Sequence, residues 1–109
     1  MAEPTLQQVF GASASQSGTT LTITKADLTG LTASSVNTAE GLLAAILIKA
    51  QAYLTQANFD ANIDQSIVIA GGYSSFTTRG TNNTAYRNDQ LTVTLAKPDT
   101  SSTLDPDDY

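Results

Sequence analysis

Apolar residues follow a helical period in one long stretch of the chain, residues 37–57, which read NTAEGLLAAILIKAQAYLTQA. When this stretch is wound at about 100° per residue, most of its large apolar side chains fall on one stripe. We expect that stripe to be the core face of one long helix, whose N-cap is Asn37 or Thr38. The stripe consists of Leu42, Leu43, Ile46, Leu47, Ala50, Tyr53, Leu54 and Ala57.

The opposite side of the predicted helix carries small, nearly uncharged residues, where an exposed helix face usually carries Lys, Glu and Arg. One interpretation is that alanine occurs there for its helix propensity. The other is a second contact surface, because contiguous apolar patches on proteins in water usually mark interfaces. The residues predicted for this contact are Gly41, Ala45, Ile48 and Ala52.

Strand patterns lie on both sides of the helix. Residues 19–25 alternate between apolar side chains and threonines, as in a half-buried strand. Residues 66–70 form a short apolar run, and we expect the strand to continue to residue 79. The Gly71-Gly72 pair inside that run predicts a bulge or a bend in the strand.

Residues 89–97 show the clearest alternation, with Leu91, Val93 and Leu95 on one face. We expect the strand over 87–97 to pair antiparallel with residues 67–79. If the first strand joins them through the helical crossover, the sheet has three or four mainly antiparallel strands. The predicted fold class is therefore α+β, a two-layer sandwich with one long helix packed on that sheet.

Composition divides the chain into three parts. Residues 1–18 are predicted to be an N-terminal arm and linker, 19–97 the α+β domain, and 98–109 an acidic flexible tail. Within the arm, three apolar residues lie at i, i+3 and i+4 of one helical turn, which would anchor the arm to an apolar surface. They are Leu6, Val9 and Phe10.

The charge distribution argues against two classes of partner. The formal net charge is −5, but residues 1–97 hold five basic and six acidic residues, so most of the negative charge is in the tail. Five scattered bases form no stripe that could follow a phosphate backbone, so no nucleic-acid partner is expected. No run approaches the roughly 20 apolar residues of a membrane span, and no secretory signal is predicted at the N-terminus.

Catalytic and metal-binding chemistry is poorly provided for. The chain contains no Cys and no His, and its Ser and Thr residues have no evident activating base, so we expect no enzyme and no cofactor. Asp60, Asn62 and Asp64 match the opening of a calcium loop. However, that loop needs Gly and Glu where Gln65 and Gly71 stand, so a turn stabilised by Asx side chains is expected instead.

Two basic residues flank the loop between the last two strands, with an acidic residue nearby. We expect Arg79 or Arg87 to form an ion pair with Asp89 across the hairpin rather than to capture an anion.

Two stretches carry a resemblance to a known class of proteins. TLQQVFGASASQSGTTLTITKADLTGL, followed by NTAEGLLAAILIKAQAYL, resembles small structural proteins of tailed bacteriophages and of phage-tail-like particles, of cyanobacterial type. The resemblance implies a non-enzymatic capsid cement, connector or neck, or tail or baseplate subunit. It further implies a homo-oligomer or other structural proteins as partners, in a particle assembled in the host cytoplasm.

A binding module is the competing hypothesis. It would recognise a glycan or a peptide with the Thr-rich sheet face and with the aromatic residues Tyr73, Phe76 and Tyr86.

Overall fold

A computed structural model describes residues 2–99 and 103–109 and has a mixed α+β structure, which confirms the predicted class. Its main helix is α2, and short 3₁₀ turns lie at Lys25–Asp27 and Pro106–Asp108. A three- or four-stranded sheet is not confirmed, because the strands of the described residues form two separate antiparallel pairs, β1–β2 and β3–β4. The elements are α1 Leu6–Phe10, β1 Ser15–Gln16, β2 Leu21–Thr22, α2 Ala39–Tyr53, α3 Gln56–Ala61, β3 Ile67–Arg79 and β4 Thr84–Leu95.

The first predicted strand does not join the main sheet. Only Leu21 and Thr22 are in strand conformation, and they pair with Ser15 and Gln16, in the segment predicted to be a linker. Ser17 makes this small hairpin possible, because its hydroxyl accepts the N–H of Thr20 at 3.2 Å and its own N–H donates to the carbonyl of Thr20 at 2.8 Å. These local bonds satisfy the backbone without any pairing to β3 or β4.

Thr38, one of the two predicted caps, begins α2. Its hydroxyl accepts the N–H of Gly41 at 3.0 Å. Asn37 instead holds the preceding loop, because its side chain accepts from the N–H of Ser34 and donates to the carbonyl of Thr32. The helix therefore starts from a loop that is itself hydrogen-bonded.

The helix ends at Tyr53, four residues before the predicted end. A second N-cap causes the break: the hydroxyl of Thr55 accepts the N–H of Asn58 at 3.1 Å and starts α3. Asn58 also donates from its side chain to the carbonyl of Tyr53 at 2.7 Å. The local Thr-x-x-Asn bonds thus compete with helix continuation and interrupt it at Leu54.

This break fixes β3 to the helices. The carbonyl of Leu54 has left the helical ladder and accepts the N–H of Ile69 at 2.9 Å. The side chains of Leu54, Ala50 and Ile69 form the buried core at this point, with Val9, Tyr53 and Ile67 packed against it. The helices therefore lie along the outer edge of β3 near its first residues.

The predicted core stripe of α2 is only partly correct. Leu54 and Ala50 are buried, and Ile46 and Leu47 are half-buried. Leu43 is 58% exposed, so its assignment to the core is wrong. Because α2 packs mainly on α1 and only touches the start of β3, no sheet surface reaches Leu43.

The antiparallel pairing of the last two strands is confirmed, but β4 covers Thr84–Leu95 rather than the predicted 87–97. Ile67 lies opposite Leu95 at the base of the hairpin and Arg79 opposite Thr84 at its tip. The register shifts between Gly71 and Ser74, so that two residues of β3 face one residue of β4. This is the bulge that the glycine pair predicts. At Gly72 a Cβ would lie 3.0 Å from the backbone carbonyl of Gln90, so the strands approach closely here.

Both ends of the chain fold back onto the body. In the arm, α1 has a complete capping box between Thr5 and Gln8 and packs on α2. Near the C-terminus, Lys97 donates to the carboxylate of Asp108 at 2.8 Å and lies over the ring of Tyr109. The predicted flexible tail also includes residues 100–102, and the predicted arm includes residue 1, all of which lie outside the described residues.

Gln65 is a buried polar residue that links three segments. Its side-chain amide donates to the carbonyls of Thr55 at 3.1 Å and Ile67 at 2.9 Å, which joins the α2–α3 break to the start of β3. Its own oxygen, Oε1, is buried without a partner. The amide therefore keeps its orientation because it satisfies two backbone acceptors.

Replacing Gln65 should weaken this link. We expect Gln65→Ala to lower the free energy of unfolding by about 1–3 kcal/mol, because two carbonyls lose their donor. Gln56→Ala is the control, since Gln56 is exposed and its amide bonds only the exposed Asp60, and it should change stability by no more than about 0.5 kcal/mol. Denaturant titration measures both, and equal losses would contradict the assigned role.

Candidate assembly surface

Beyond the bulge, the β3–β4 hairpin extends away from the body as a two-stranded ribbon, residues 73–90. Every residue of this ribbon is exposed, and the molecule is correspondingly elongated, with extents of 50 × 34 × 26 Å. Its aromatic side chains include Tyr73, 86% exposed, and Phe76, 77% exposed. An isolated two-stranded hairpin is only marginally stable in water, so binding to a partner would stabilise the ribbon.

The register assigns the side chains of the hairpin to two faces. Residues directly opposite each other share a face, and faces alternate along each strand. One face, called the apolar face here, carries the pairs Ile67–Leu95 and Ile69–Val93 near the body. The members of the apolar face beyond these pairs are Gly71, Ser74, Phe76, Thr78, Ala85, Arg87, Asp89 and Leu91.

Much of the apolar face is uncovered. Leu91, Val93 and Leu95, the three residues that the alternation of β4 places together, are 38%, 45% and 40% exposed. The helices cover Ile69 on β3, and at the base of β4 Leu95 lines a cavity together with Val9 and Phe10 of α1. A row of apolar side chains on β4 is therefore open to solvent along the strand.

A polar cluster lies further along the same face. Arg87 Nε donates to Asp89 Oδ1 at 2.9 Å, and the hydroxyl of Ser74 on β3 donates to the same oxygen at 3.0 Å. Both bonds lower the pKa of Asp89, the Arg87 bond most strongly. The expected ion pair is thus present, but it joins two residues of β4 rather than the two strands.

The tip of the ribbon has its own ring contact. The guanidinium carbon of Arg79 lies 4.9 Å from the centroid of the Tyr86 ring. Arg79 and Tyr86 occupy the face opposite to Phe76, because Tyr86 pairs with Thr77. The aromatic residues of the ribbon therefore do not share one face.

The predicted contact residues on α2 are only partly accessible. Ile48 and Ala52 are exposed, Gly41 is half-buried, and Ala45 is 6% exposed and thus belongs to the buried interior of this chain. Gly41, Ala45 and Ile48 line a cavity of about 210 Å³ together with the loop over residues 29–31. The open part of the helix face is therefore narrower than the sequence indicates.

The predicted contact residues on α1 dock on the chain's own body. Leu6, Val9 and Phe10 are all half-buried, and Val9 packs against the core at Leu54. Val9 and Phe10 also line a cavity of about 330 Å³, between the arm, the base of the hairpin and Tyr109. The two predicted groups of contact residues thus line two different depressions and do not form one surface.

Sequence reasoning missed that the apolar row on β4 is exposed. The alternation of residues 89–97 correctly gives the shared face of Leu91, Val93 and Leu95, but the prediction treats that face as core. The lengths of the predicted elements could have indicated this exposure, because one helix of 15 residues is too short to cover a hairpin with strands of 13 and 12 residues. Ile63, in the loop after α3, is also almost fully exposed.

The loop that resembles a calcium site is held by its own side chains. Asn62 is buried, accepts the N–H of Asp64 at 3.1 Å and donates to the carbonyl of Ala2 at 2.8 Å. Asp60 and Asp64 remain exposed. Among residues 2–99 and 103–109, no group of three or more Asp, Glu, His or Cys residues is placed to hold a metal ion.

The helices within the described part of the chain are all too short or too polar to cross a membrane.

Comparison with known proteins gives no match to any family model, curated protein or solved structure.

Proposed function

We propose that this chain is a non-enzymatic structural component of a phage virion or a phage-tail-like particle. It serves as a capsid cement, connector or neck, or tail or baseplate subunit, and it acts by self-association or by docking on other structural proteins of the particle. The observation that carries the proposal is the exposed ribbon, with Tyr73 and Phe76 projecting from strands that have no core of their own.

In an isolated chain, the exposed aromatic side chains of the ribbon are energetically unfavourable. When another surface covers large exposed aromatic side chains, the free energy of the system falls by about 25 cal/mol per Å² of apolar area buried. The helices of this chain pack on the base of the hairpin near Ile69 and leave Phe76 exposed, and the proposed neighbouring subunit would cover it. In the proposed particle, a sheet of three or more strands, with helices on one face, forms when strands of a neighbouring subunit join the hairpin.

The remaining exposed apolar residues add secondary contacts. Ile48 and Ala52 on α2 face solvent, and Ile48 lies beside the cavity lined by Gly41. The half-buried arm residues Val9 and Phe10 lie at the edge of the larger cavity, where a neighbouring chain could extend their contacts. Several small contacts of this kind are typical of a subunit bound on more than one side.

The proposed role requires no catalysis and no cofactor. The chain has neither His nor Cys, the groups that most often supply a base and a thiolate nucleophile. Bonds from Arg87 and Ser74 lower the pKa of Asp89, but its side chain is 68% exposed on the ribbon and lines no enclosed site. These bonds order the ribbon.

The competing hypothesis, a glycan- or peptide-binding module, needs aromatic rings that converge. Phe76 and Tyr86 lie on opposite faces of the ribbon. Tyr73 lies opposite Gln90, four residues along β4 from Tyr86, which is roughly 13 Å at the rise of a strand. The ribbon thus offers separate aromatic contacts, which suits an extended protein interface better than a sugar platform.

Removing the two most exposed aromatic residues of the ribbon should abolish docking. We expect the double variant Tyr73→Ser, Phe76→Ser to lose association with purified particles, because it removes the apolar contacts while both strands remain intact. Cosedimentation with the particles measures the bound fraction. Ile63→Ser is the matched control, since it removes an equally exposed apolar side chain from the body, and it should bind as the unsubstituted chain does.

The double variant binding as well as the control would remove the ribbon from the proposal. Absence of binding by the unsubstituted chain would overturn the structural role itself.

A further inference from the structure

We infer that β4 is a dimerisation strand: two copies of this chain pair their β4 edges antiparallel around Val93 and form one four-stranded sheet. The inference deepens the proposed structural role by naming a partner, a second copy of this chain, and the surface it uses. It rests on the free edge of β4, the open apolar row and the charge pattern of the strand.

The backbone of β4 has its free bonding groups on one edge. The N–H of Ala96 donates to the carbonyl of Ser66 across the hairpin, and the N–H of Ile69 points away from β4 to Leu54. Because bonding direction alternates along antiparallel strands, even-numbered residues of β4 bond β3, and odd-numbered residues direct their N–H and C=O outward. The outward groups belong to Ala85, Arg87, Asp89, Leu91, Val93 and Leu95.

The two edges of the hairpin are not equivalent. The outer edge of β3 is occupied near its base by the Leu54 carbonyl, and the strand is broken by the bulge at Gly72. β4 has no extra residue at the bulge and runs uninterrupted from Thr84 to Leu95. Natural edge strands are usually blunted by bulges, prolines or short length, and β4 has none of these along its length.

The outward backbone groups and the open apolar row belong to the same residues. Leu91, Val93 and Leu95 present their backbone at the free edge and their side chains on the apolar face. A strand added at this edge therefore gains hydrogen bonds and buries apolar surface at the same three positions. A two-fold axis that is perpendicular to the sheet and lies between the two Val93 residues places Leu91 opposite the Leu95 of the second copy.

The charges around Val93 are self-complementary in this register. Lys97 lies two residues beyond the end of β4. Extending the antiparallel pairing about Val93 to that residue places Asp89 opposite Lys97 of the second copy, and symmetry repeats the pair. The two Asp89–Lys97 pairs thus lie on either side of the apolar pairs formed by Leu91, Val93 and Leu95. Exposed charge pairs of this kind fix register and partner more than affinity.

The even-numbered residues are compatible with the same register. Thr92 lies opposite Thr94 of the second copy, a pair suited to a wet sheet face. Pro98 would lie at an even position, where the missing N–H is on the inner side and leaves the outer ladder complete. Lys97 donates to Asp108 and to the carbonyl of Thr103 in its own chain, and the second copy's Asp89 would be a further acceptor beside the same ammonium group.

Single cysteine variants test the pairing directly, because the chain has no Cys of its own. At the two-fold axis the two Val93 Cα atoms would lie about 5.5 Å apart, within the range of a disulfide. Val93→Cys should therefore form a disulfide-linked dimer under mild oxidation. Leu91→Cys is the matched control on the same face, since its two copies are offset by about 13 Å along the strand, and it should form no disulfide-linked dimer.

Preferential crosslinking through Leu91→Cys, or no crosslinking by either variant, overturns the pairing. Amide exchange on the unsubstituted chain is independent of any folding defect in the variants. At dimer concentrations the N–H groups of Leu91, Val93 and Leu95 should become protected, and unchanged fast exchange at all concentrations overturns the dimer. Association of the same chain with purified particles is measured separately, so loss of the dimer and loss of the structural role are distinguishable.

Discussion

Leu54→Ala should lower the free energy of unfolding by about 2–5 kcal/mol, the usual cost of emptying a buried leucine site. Leu54 is buried against Ala50 and Ile69, at the point where the helices meet the base of the hairpin. A domain of this size has a total stability of roughly 5–15 kcal/mol, so this one change removes a large share of it.

Leu43→Ala, within α2, is the control for this prediction, because it removes the same atoms at a site that is mostly exposed. It should change stability by no more than about 0.5 kcal/mol. Denaturant titration with unchanged m-values measures both. Similar losses for the two variants would mean that α2 is rotated relative to its position here.

Gly11→Ala should be nearly as damaging, for a different reason. Gly11 has φ 120° and ψ 158°, a backbone conformation that is essentially restricted to glycine and costs other residues about 1–3 kcal/mol. An added Cβ would also lie 2.6 Å from the Cβ of Asp27, and relieving that contact adds about 1–3 kcal/mol. Asp27 cannot move freely, because it accepts the N–H of Ser13 at 2.8 Å.

Gly18→Ala provides the comparison. No heavy atom lies within 4 Å of a Cβ added at Gly18, and its backbone is not in the left-handed region. The substitution should change stability little or raise it by about 0.4–1 kcal/mol, through lower entropy of the unfolded chain. Thermal unfolding of the two variants side by side distinguishes them, and equal midpoints would contradict the close packing of the arm on Asp27.

Local signals in the sequence were sufficient wherever a few neighbouring residues decide the structure. The Gly71-Gly72 pair predicts the bulge, the alternation over 89–97 predicts β4, and Thr38 was one of two predicted caps for α2. These features depend on hydrogen bonds and steric limits within a turn or between adjacent strands. The competition between caps at Thr55 was missed because the helical period continues unbroken through it.

The same patterns do not show which side chains are buried by other elements of the fold. Alternation shows that Leu91, Val93 and Leu95 share a face, but it does not show whether this chain supplies anything to cover them. The reverse holds for Ala45, which the sequence places on an open face and which the fold buries. Both errors arise because burial depends on which elements meet, and α2 meets α1 rather than the length of the sheet.

The proposed structural role makes the uncovered surface its central feature. The aromatic side chains of the ribbon, the row on β4 and Ile48 on α2 are apolar groups that the described part of the chain leaves exposed. In a subunit of a larger particle, neighbouring subunits bury such surfaces. The molecule is elongated, and the ribbon extends beyond the rest of the chain, where a neighbour can contact it.

The mass of the native species tests this account most directly. Cells that make the protein are lysed, and the lysate is separated by density-gradient centrifugation. The amount of the chain in each fraction shows the size of the native species without any substitution or label. The proposed role predicts that the chain sediments with particles far heavier than its own 11.4 kDa, at a constant ratio to the other particle proteins. Recovery of the whole population as free monomer, absent from every particle fraction, would contradict it.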